Sequence, residues 1–198
     1  MRNMAKIISF EGCIGAGKTS LVKYLSKELG CNKILEHQYK NPFITKFCKG
    51  ANVGLETELT FLLQHYSLLK NINAKAEIVL SDFSIEKDLV FARMNLEPSE
   101  FNIFKSVYKF VENRTLKPNI IFFLDLPSQL LRKRIKARGR AHEMLLNTLY
   151  FEQYCERLKR YFLNESESKV LFIKAYDLEL SDANAKFNQI IDTITGEK

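Results

Sequence analysis

The chain has 198 residues, 46% of them hydrophobic and 27% charged, proportions of a soluble globular protein that buries a core without disulfide staples. No apolar run approaches the roughly 18 residues of a membrane span, and the opening MRNMAKIISF has no secretory apolar region, so a membrane partner is not expected. The net charge of +7 would suit nucleic acid, whereas four scattered cysteines (Cys13, Cys31, Cys48, Cys155) have no metal or disulfide spacing and favour a reducing, cytoplasmic setting.

The first predicted element is a strand, KIISF (6–10), short, apolar and β-branched. It enters EGCIGAGKTS, where Gly12, Gly17, Lys18 and Thr19 satisfy G-x-x-x-x-G-K-[ST] and Gly15 adds another glycine. Glycines let consecutive backbone N–H groups face an anion. A helix over 20–29 follows, with Leu21, Tyr24, Leu25 and Leu29 at helical spacing and Gly30 as its stop; its N-terminus adds positive potential. The loop Gly12, Cys13, Ile14, Gly15, Ala16, Gly17, Lys18, Thr19 and Ser20 is therefore expected to cradle nucleotide phosphates. Lys18 would reach the β/γ-phosphates and the Thr19 hydroxyl would ligate Mg²⁺.

Four more β-like runs follow: KIL (33–35), EIVLS (77–81), NIIFFL (119–124) and KVLFI (169–173). Three of the five runs are almost continuously apolar, as in strands covered on both faces of a parallel sheet. Between them lie helical stripes: Leu55, Leu59, Leu62, Tyr66 and Leu69; then Phe101, Phe104, Tyr108 and Val111; then Leu145, Leu149 and Tyr150. Pro42, Pro98 and Pro127 fall where helices would begin. The expected fold is a doubly wound α/β domain with a five-stranded parallel sheet, one domain over 1–198. Ligands of such sheets bind beyond the carboxyl ends of the strands. Glu11, Glu36, Asp82 and Asp125 stand there and should crowd one rim.

Neither N-K-x-D nor D-x-x-G is present for a GTPase. A small-molecule kinase needs a group that orients or deprotonates an acceptor hydroxyl, positive charge over the transferring phosphoryl, and an acceptor pocket. The run LRKRIKARGR supplies the charge. Arg134 and Arg138 are four apart on one helix face, and Gly139 breaks the helix so that Arg140 turns to the same target. Guanidinium forks suit charge developing on phosphoryl oxygens. A short arginine-rich lid over about 138–144 could close on the nucleotide.

With these residues the chain resembles the deoxyribonucleoside kinase family, close to the bacterial deoxyadenosine/deoxyguanosine kinases. The resemblance is carried by EGCIGAGKTS, by LEHQYKNPF, and by SDFSIEKDLVFA with RIKARGRAHE, and runs from about Lys6 to Tyr161. It implies Glu36 as the general base for a nucleoside 5′-hydroxyl. It also implies Gln64 at the nucleobase edge, Phe91 stacked on the base and Glu143 on the sugar 3′-hydroxyl. The plainer alternatives are a satisfied polar Gln64, a core Phe91 and a Glu143 that pairs with the arginines. Asp82 is the carboxylate expected beside Thr19 at Mg²⁺, with the base or Lys87 as its other possible partners.

Two departures from the family stand out. Many members carry an acidic–Arg pair after the third strand, where this chain has Asp82–Phe83. Bacterial relatives place a sugar-binding tyrosine after the NPF segment, where this chain has Cys48. Tyr39 or Tyr66 would then substitute, or sugar binding weakens, or the substrate differs.

The resulting expectation is transfer of the ATP γ-phosphoryl, with Mg²⁺, to the 5′-hydroxyl of a deoxynucleoside, purines preferred. A nucleoside monophosphate kinase of thymidylate-kinase type would need more positive charge near the acceptor; between Glu36 and Gln64 only Lys40, Lys46 and Lys49 offer it. A catalytically silent nucleotide-binding regulator has Cys48 alone in its favour. A nucleic-acid binder would need a second basic, aromatic surface, which the sequence lacks. The apolar content of helices 55–72 and 101–113 suits a homodimer.

Overall fold

The computed structural model describes residues 5–36, 40–72, 77–177 and 185–196. Within them, β1 (Lys6–Glu11), β2 (Asn32–Ile34), β3 (Ile78–Ser81), β4 (Ile120–Asp125) and β5 (Val170–Lys174) form one parallel sheet. The strand order is β2-β3-β1-β4-β5. Ser9 of β1 stands opposite Ser81 of β3 on one side and Ile121 of β4 on the other. The central strands are buried on both faces, hence their unbroken apolar runs: Ile7, Ile8, Phe10, Leu80, Ile121 and Phe123 are all in the core. The edge strand β5 alternates instead, leaving Phe172 partly exposed.

The helices are α1 (Lys18–Glu28), α2 (Ile44–Cys48), α3 (Gly54–Leu69), α4 (Glu86–Asn95), α5 (Pro98–Glu112), α6 (Ser128–Arg138), α7 (Ala141–Met144), α8 (Thr148–Asn164) and α9 (Ala185–Thr195). A second apolar cluster, with Leu62, Phe83, Phe104 and Tyr108, joins α3, α4 and α5. Pro98 opens α5 inside a capping box of Glu97 and Glu100. No helix of the described residues is long and apolar enough to cross a membrane.

After β1 the chain moves to one side of the sheet for β2 and β3, then crosses to the other for β4. Such a reversal opens a crevice beyond the carboxyl ends of the strands. Glu11 and Asp125 end their strands, Asp82 follows β3 directly, and Glu36 lies two residues past β2. The anticipated rim therefore forms.

The third anticipated stripe is corrected by the structure. Leu145 precedes α8, and Leu149 is 63% exposed. The Asn147 side chain caps α8 by accepting from Leu149 N and Tyr150 N, which sets the helix phase. The buried face is Phe151, Tyr154, Leu158, Tyr161 and Phe162. Pro42 lies two residues ahead of α2 rather than in its first turn, and Pro127 just precedes α6. Tyr39 lies outside the described residues.

Candidate active site

The glycine loop joins β1 to α1. Gly12 has φ 138°, and a Cβ there would lie 2.6 Å from the Leu124 carbonyl oxygen. Only glycine permits both that backbone and that approach. The Lys18 ammonium bonds the loop's own carbonyls, Gly12 O at 2.6 Å and Cys13 O at 3.2 Å. Burial pulls it below its ordinary pKa, against the attraction of Glu11. The Thr19 hydroxyl donates to Asp82 Oδ2, while Asp82 Oδ1 accepts from the Glu36 amide at 2.7 Å. Of the partners open to Asp82, the structure thus brings it to Thr19. Arg134 Nη1 reaches Ala16 O at 3.3 Å, placing that guanidinium against the loop.

Beneath the loop, Glu11 is fully buried. Its Oε1 accepts from Ser84 N at 2.6 Å, and Oε2 has no hydrogen-bond partner among the described residues. Burial pushes its carboxyl up to about 7, against the pull of Lys87 and Lys18.

Glu36 is gripped from two sides. Oε2 is 2.8 Å from Lys87 Nζ and Oε1 is 3.0 Å from His65 Nε2. His65 Nδ1 lies 2.7 Å from Asp88 Oδ2. The imidazole is only 1% exposed and stacks on the Phe83 ring at 4.2 Å, and the Lys87 ammonium stands 5.6 Å from the same ring. Burial by itself would raise the Glu36 pKa, but Lys87 and His65 hold it well below the usual carboxylate range. Burial disfavours the charged imidazole, yet Asp88 and Glu36 raise His65 to about 9. At neutral pH the cluster therefore holds an ionised Glu36 between two cations.

A cavity of about 60 Å³ opens from Glu36, with Phe61, Glu58, Phe91, Asn95, Tyr150, Cys48 and Glu143 among its walls. Ligand pockets are commonly about 300–1,000 Å³, so an acceptor the size of a nucleoside must widen it. Phe91 lines it and stacks on Tyr154 at 4.2 Å, so it is both a wall and a core aromatic. Tyr150 OH donates to Asn95 Oδ1 at 3.0 Å, and Asn95 Nδ2 donates to Glu58 Oε1 at 2.7 Å. Burial pushes Glu58 up to about 8, making it a neutral carboxyl at pH 7, and pushes the Cys48 thiol up to about 11.

Gln64 is not among the cavity's wall residues. The face of α3 that enters is Thr57, Glu58 and Phe61, with His65 at its end; Gln64 is one position out of that phase. Tyr66 packs against Phe110 and is likewise absent from the walls, so the phenol present there is that of Tyr150.

The arginine-rich segment after α6 gathers on Glu143, which is buried. Arg138 Nε and Nη2 meet its Oε2 at 3.1 and 2.5 Å, and Arg140 Nη1 meets Oε1 at 3.3 Å. Gly139, at φ 67°, ends α6 and turns Arg140 to the same carboxylate. Two of the three anticipated arginines thus gather on Glu143 while the third touches the loop.

His65, Glu58, Asn95 and Tyr150 line or adjoin the site and were passed over by the sequence reading, which weighed Lys87 only as a partner of Asp82. One signal existed: Glu58, Phe61 and His65 recur at helical spacing with polar groups on one face of an otherwise apolar helix.

Comparison with known proteins gives the family and the fold. The family described as deoxynucleoside kinase matches residues 8–197. A deoxyguanosine kinase of Bacillus subtilis is 33% identical over 156 residues, covering 76% of this chain and 75% of that protein. A deoxyadenosine kinase of Lactobacillus acidophilus is 29% identical over 169 residues, covering 80% and 79%. The fold is that of a deoxyadenosine kinase structure from M. mycoides with products dCMP and dCDP bound. That comparison has a TM-score of 0.81 at 22% identity, over 97% of this chain and 100% of the other.

Proposed function

The chain belongs to the deoxynucleoside kinase family, and from that premise we propose that it transfers the γ-phosphoryl of ATP to the 5′-hydroxyl of a purine deoxynucleoside. The observation that carries the reading is the Glu36 carboxylate, buried at the mouth of an aromatic-walled cavity and tied through Asp82 to the phosphate loop. The purine preference leans on the two relatives, a deoxyguanosine and a deoxyadenosine kinase.

In this reading the loop amides and Lys18 hold the donor phosphates. Glu36 orients the acceptor hydroxyl and takes its proton, and Arg134, Arg138 and Arg140 balance charge on the transferring group. Glu143 holds the sugar 3′-hydroxyl and Phe91 stacks on the base. The base edge is read by Glu58 and Asn95, which line the cavity, in preference to Gln64. Thr19 and Asp82 offer two hard oxygen donors in mutual contact, a pair suited to Mg²⁺ that keeps waters and phosphate oxygens as its other ligands. The cation would neutralise β- and γ-phosphate charge. We read 1–198 as a single cytoplasmic kinase domain with a lid over about 138–144. Exposed Leu63 of α3 and Ile103 and Phe110 of α5 suit a homodimer face.

The test is phosphoryl transfer from Mg·ATP to the four deoxynucleosides, their ribo counterparts and their monophosphates. Turnover of deoxyguanosine or deoxyadenosine is expected. Turnover of monophosphates alone would move the chain to nucleotide-kinase chemistry.

A further inference from the structure

Lys87 is a lysine where burial is costly. It is 5% exposed, on a helix whose neighbouring Asp88, Val90 and Ala92 are also buried. Lysine is almost never buried without a partner, and this one has Glu36 at 2.8 Å. The electrostatic surroundings are fuller than one pair. Burial would lower the Lys87 pKa, but Glu36, Glu11 and Asp88 raise it, and Lys18 opposes. The ammonium therefore lies within the fields of the acceptor carboxylate from the β2 side, of Glu11 from β1 and of the loop lysine from α1. Lys18 and Lys87 line the same cavity together.

A simple counterion for Glu36 does not account for this arrangement. His65 already holds the other carboxylate oxygen and is itself held by Asp88, so the orientation of Glu36 does not depend on Lys87 alone. Both cations rest on Phe83, a neutral ring that contributes a face and no charge. Lys18, Glu36 and Lys87 line one cavity, so a phosphoryl group held by Lys18 and a hydroxyl on Glu36 would meet in a space that the Lys87 ammonium borders.

We propose that Lys87 is a second catalytic lysine, whose ammonium moves from Glu36 onto the transferring phosphoryl group when the acceptor hydroxyl takes its place. This rests on the kinase reading above. The acceptor oxygen bonds to the γ-phosphorus and the bond from that phosphorus to the β,γ-bridging oxygen breaks. That electron pair leaves with the nucleoside diphosphate, and the hydroxyl proton goes to Glu36. With the acceptor hydroxyl in its place at Glu36, the Lys87 ammonium is left to the equatorial oxygens as their charge grows. His65 is the positioning residue that keeps Glu36 in place while Lys87 is away.

The experiment compares kcat and acceptor KM for the wild type, Lys87→Gln, Lys87→Arg, Glu36→Gln and the double variant E36Q/K87Q, with melting temperature and ATP binding beside them. K87Q is expected to lose about 10²-fold in kcat with KM changed far less, K87R to recover at least about a tenth of wild-type kcat, and the double variant to fall a further tenfold or more below E36Q. A Lys87 that serves only Glu36 gives the opposite result, a double variant no slower than E36Q, and that overturns the proposal. Because E36Q/K87Q keeps the buried charges balanced, its comparison with E36Q decides the matter even where K87Q does not fold. A wild type that phosphorylates no nucleoside would overturn the kinase reading itself; turnover with E36Q and E36Q/K87Q equal overturns the role of Lys87 alone.

Discussion

Asp82 accepts the hydrogen bond of the Thr19 hydroxyl across 63 residues of sequence, and its other oxygen accepts the Glu36 amide. One carboxylate thereby fixes the phosphate loop against the acceptor segment. Asp82→Asn keeps the shape and removes the charge. Its kcat should drop about 10²-fold, with a higher Mg²⁺ concentration needed for half-maximal rate. Titration of transfer rate against Mg²⁺ measures both, and an unchanged Mg²⁺ requirement would remove Asp82 from the metal site.

Glu58 gives a pH dependence with a defined sign. Burial raises its carboxyl from an ordinary 4.5 to about 8, so between these values the folded chain holds a proton the unfolded chain has lost. Stability from this group is full below about 4.5 and falls as pH rises through about 8. The loss is of the order of a few kcal/mol at about 1.4 kcal/mol per unit. Glu58→Gln should flatten that slope, gaining on the wild type at pH 8.5 relative to pH 5.5. Denaturant unfolding of both proteins at the two pH values reads the difference directly. Equal slopes would contradict a neutral buried Glu58.

Glu143 gathers Arg138 and Arg140 and also borders the cavity. Glu143→Ala releases both guanidinium groups and, in the proposed reading, deletes the 3′-hydroxyl partner. Acceptor KM should rise about tenfold or more, about 1.4 kcal/mol, with a smaller change in donor KM. A selective loss in the donor parameter would instead leave Glu143 as an anchor for Arg138 and Arg140 alone.

Gly12 tests the loop. A Cβ would meet the Leu124 carbonyl at 2.6 Å on a backbone at φ 138°. Gly12→Ala should lose about 2 kcal/mol or more of stability, which for a chain of this size lowers the melting temperature by about 4–8 °C. ATP binding should weaken with it. A variant that melts and binds ATP like the wild type would mean the loop adapts freely.

What the sequence made legible follows from where the information lies. The strands were legible because central parallel strands are apolar on both faces, so KIISF and NIIFFL stand out without any tertiary context. The phosphate loop was legible because its chemistry sits in consecutive residues. On the acceptor side only Glu36, Phe91 and Glu143 were named, through the resemblance, and the rest was not legible because partners come together from distant segments: Glu36 meets His65 across 29 residues, and Glu58 meets Asn95 across 37. Helix phase decided the rest. Gln64 and His65 are adjacent, yet only His65 faces Glu36, and periodicity alone did not separate them. Asn147 likewise set the phase of α8 and moved its buried face onto Phe151 and Tyr154.

The central claim is that Glu36 handles the acceptor hydroxyl in a phosphoryl transfer to a deoxynucleoside. The most direct measurement is the rate of deoxyguanosine and deoxyadenosine phosphorylation by the wild type and Glu36→Gln at saturating Mg·ATP. The account predicts turnover by the wild type and a kcat lower by about 10²–10⁴-fold in the variant, with ATP binding intact. A variant that phosphorylates either nucleoside at the wild-type rate would contradict it.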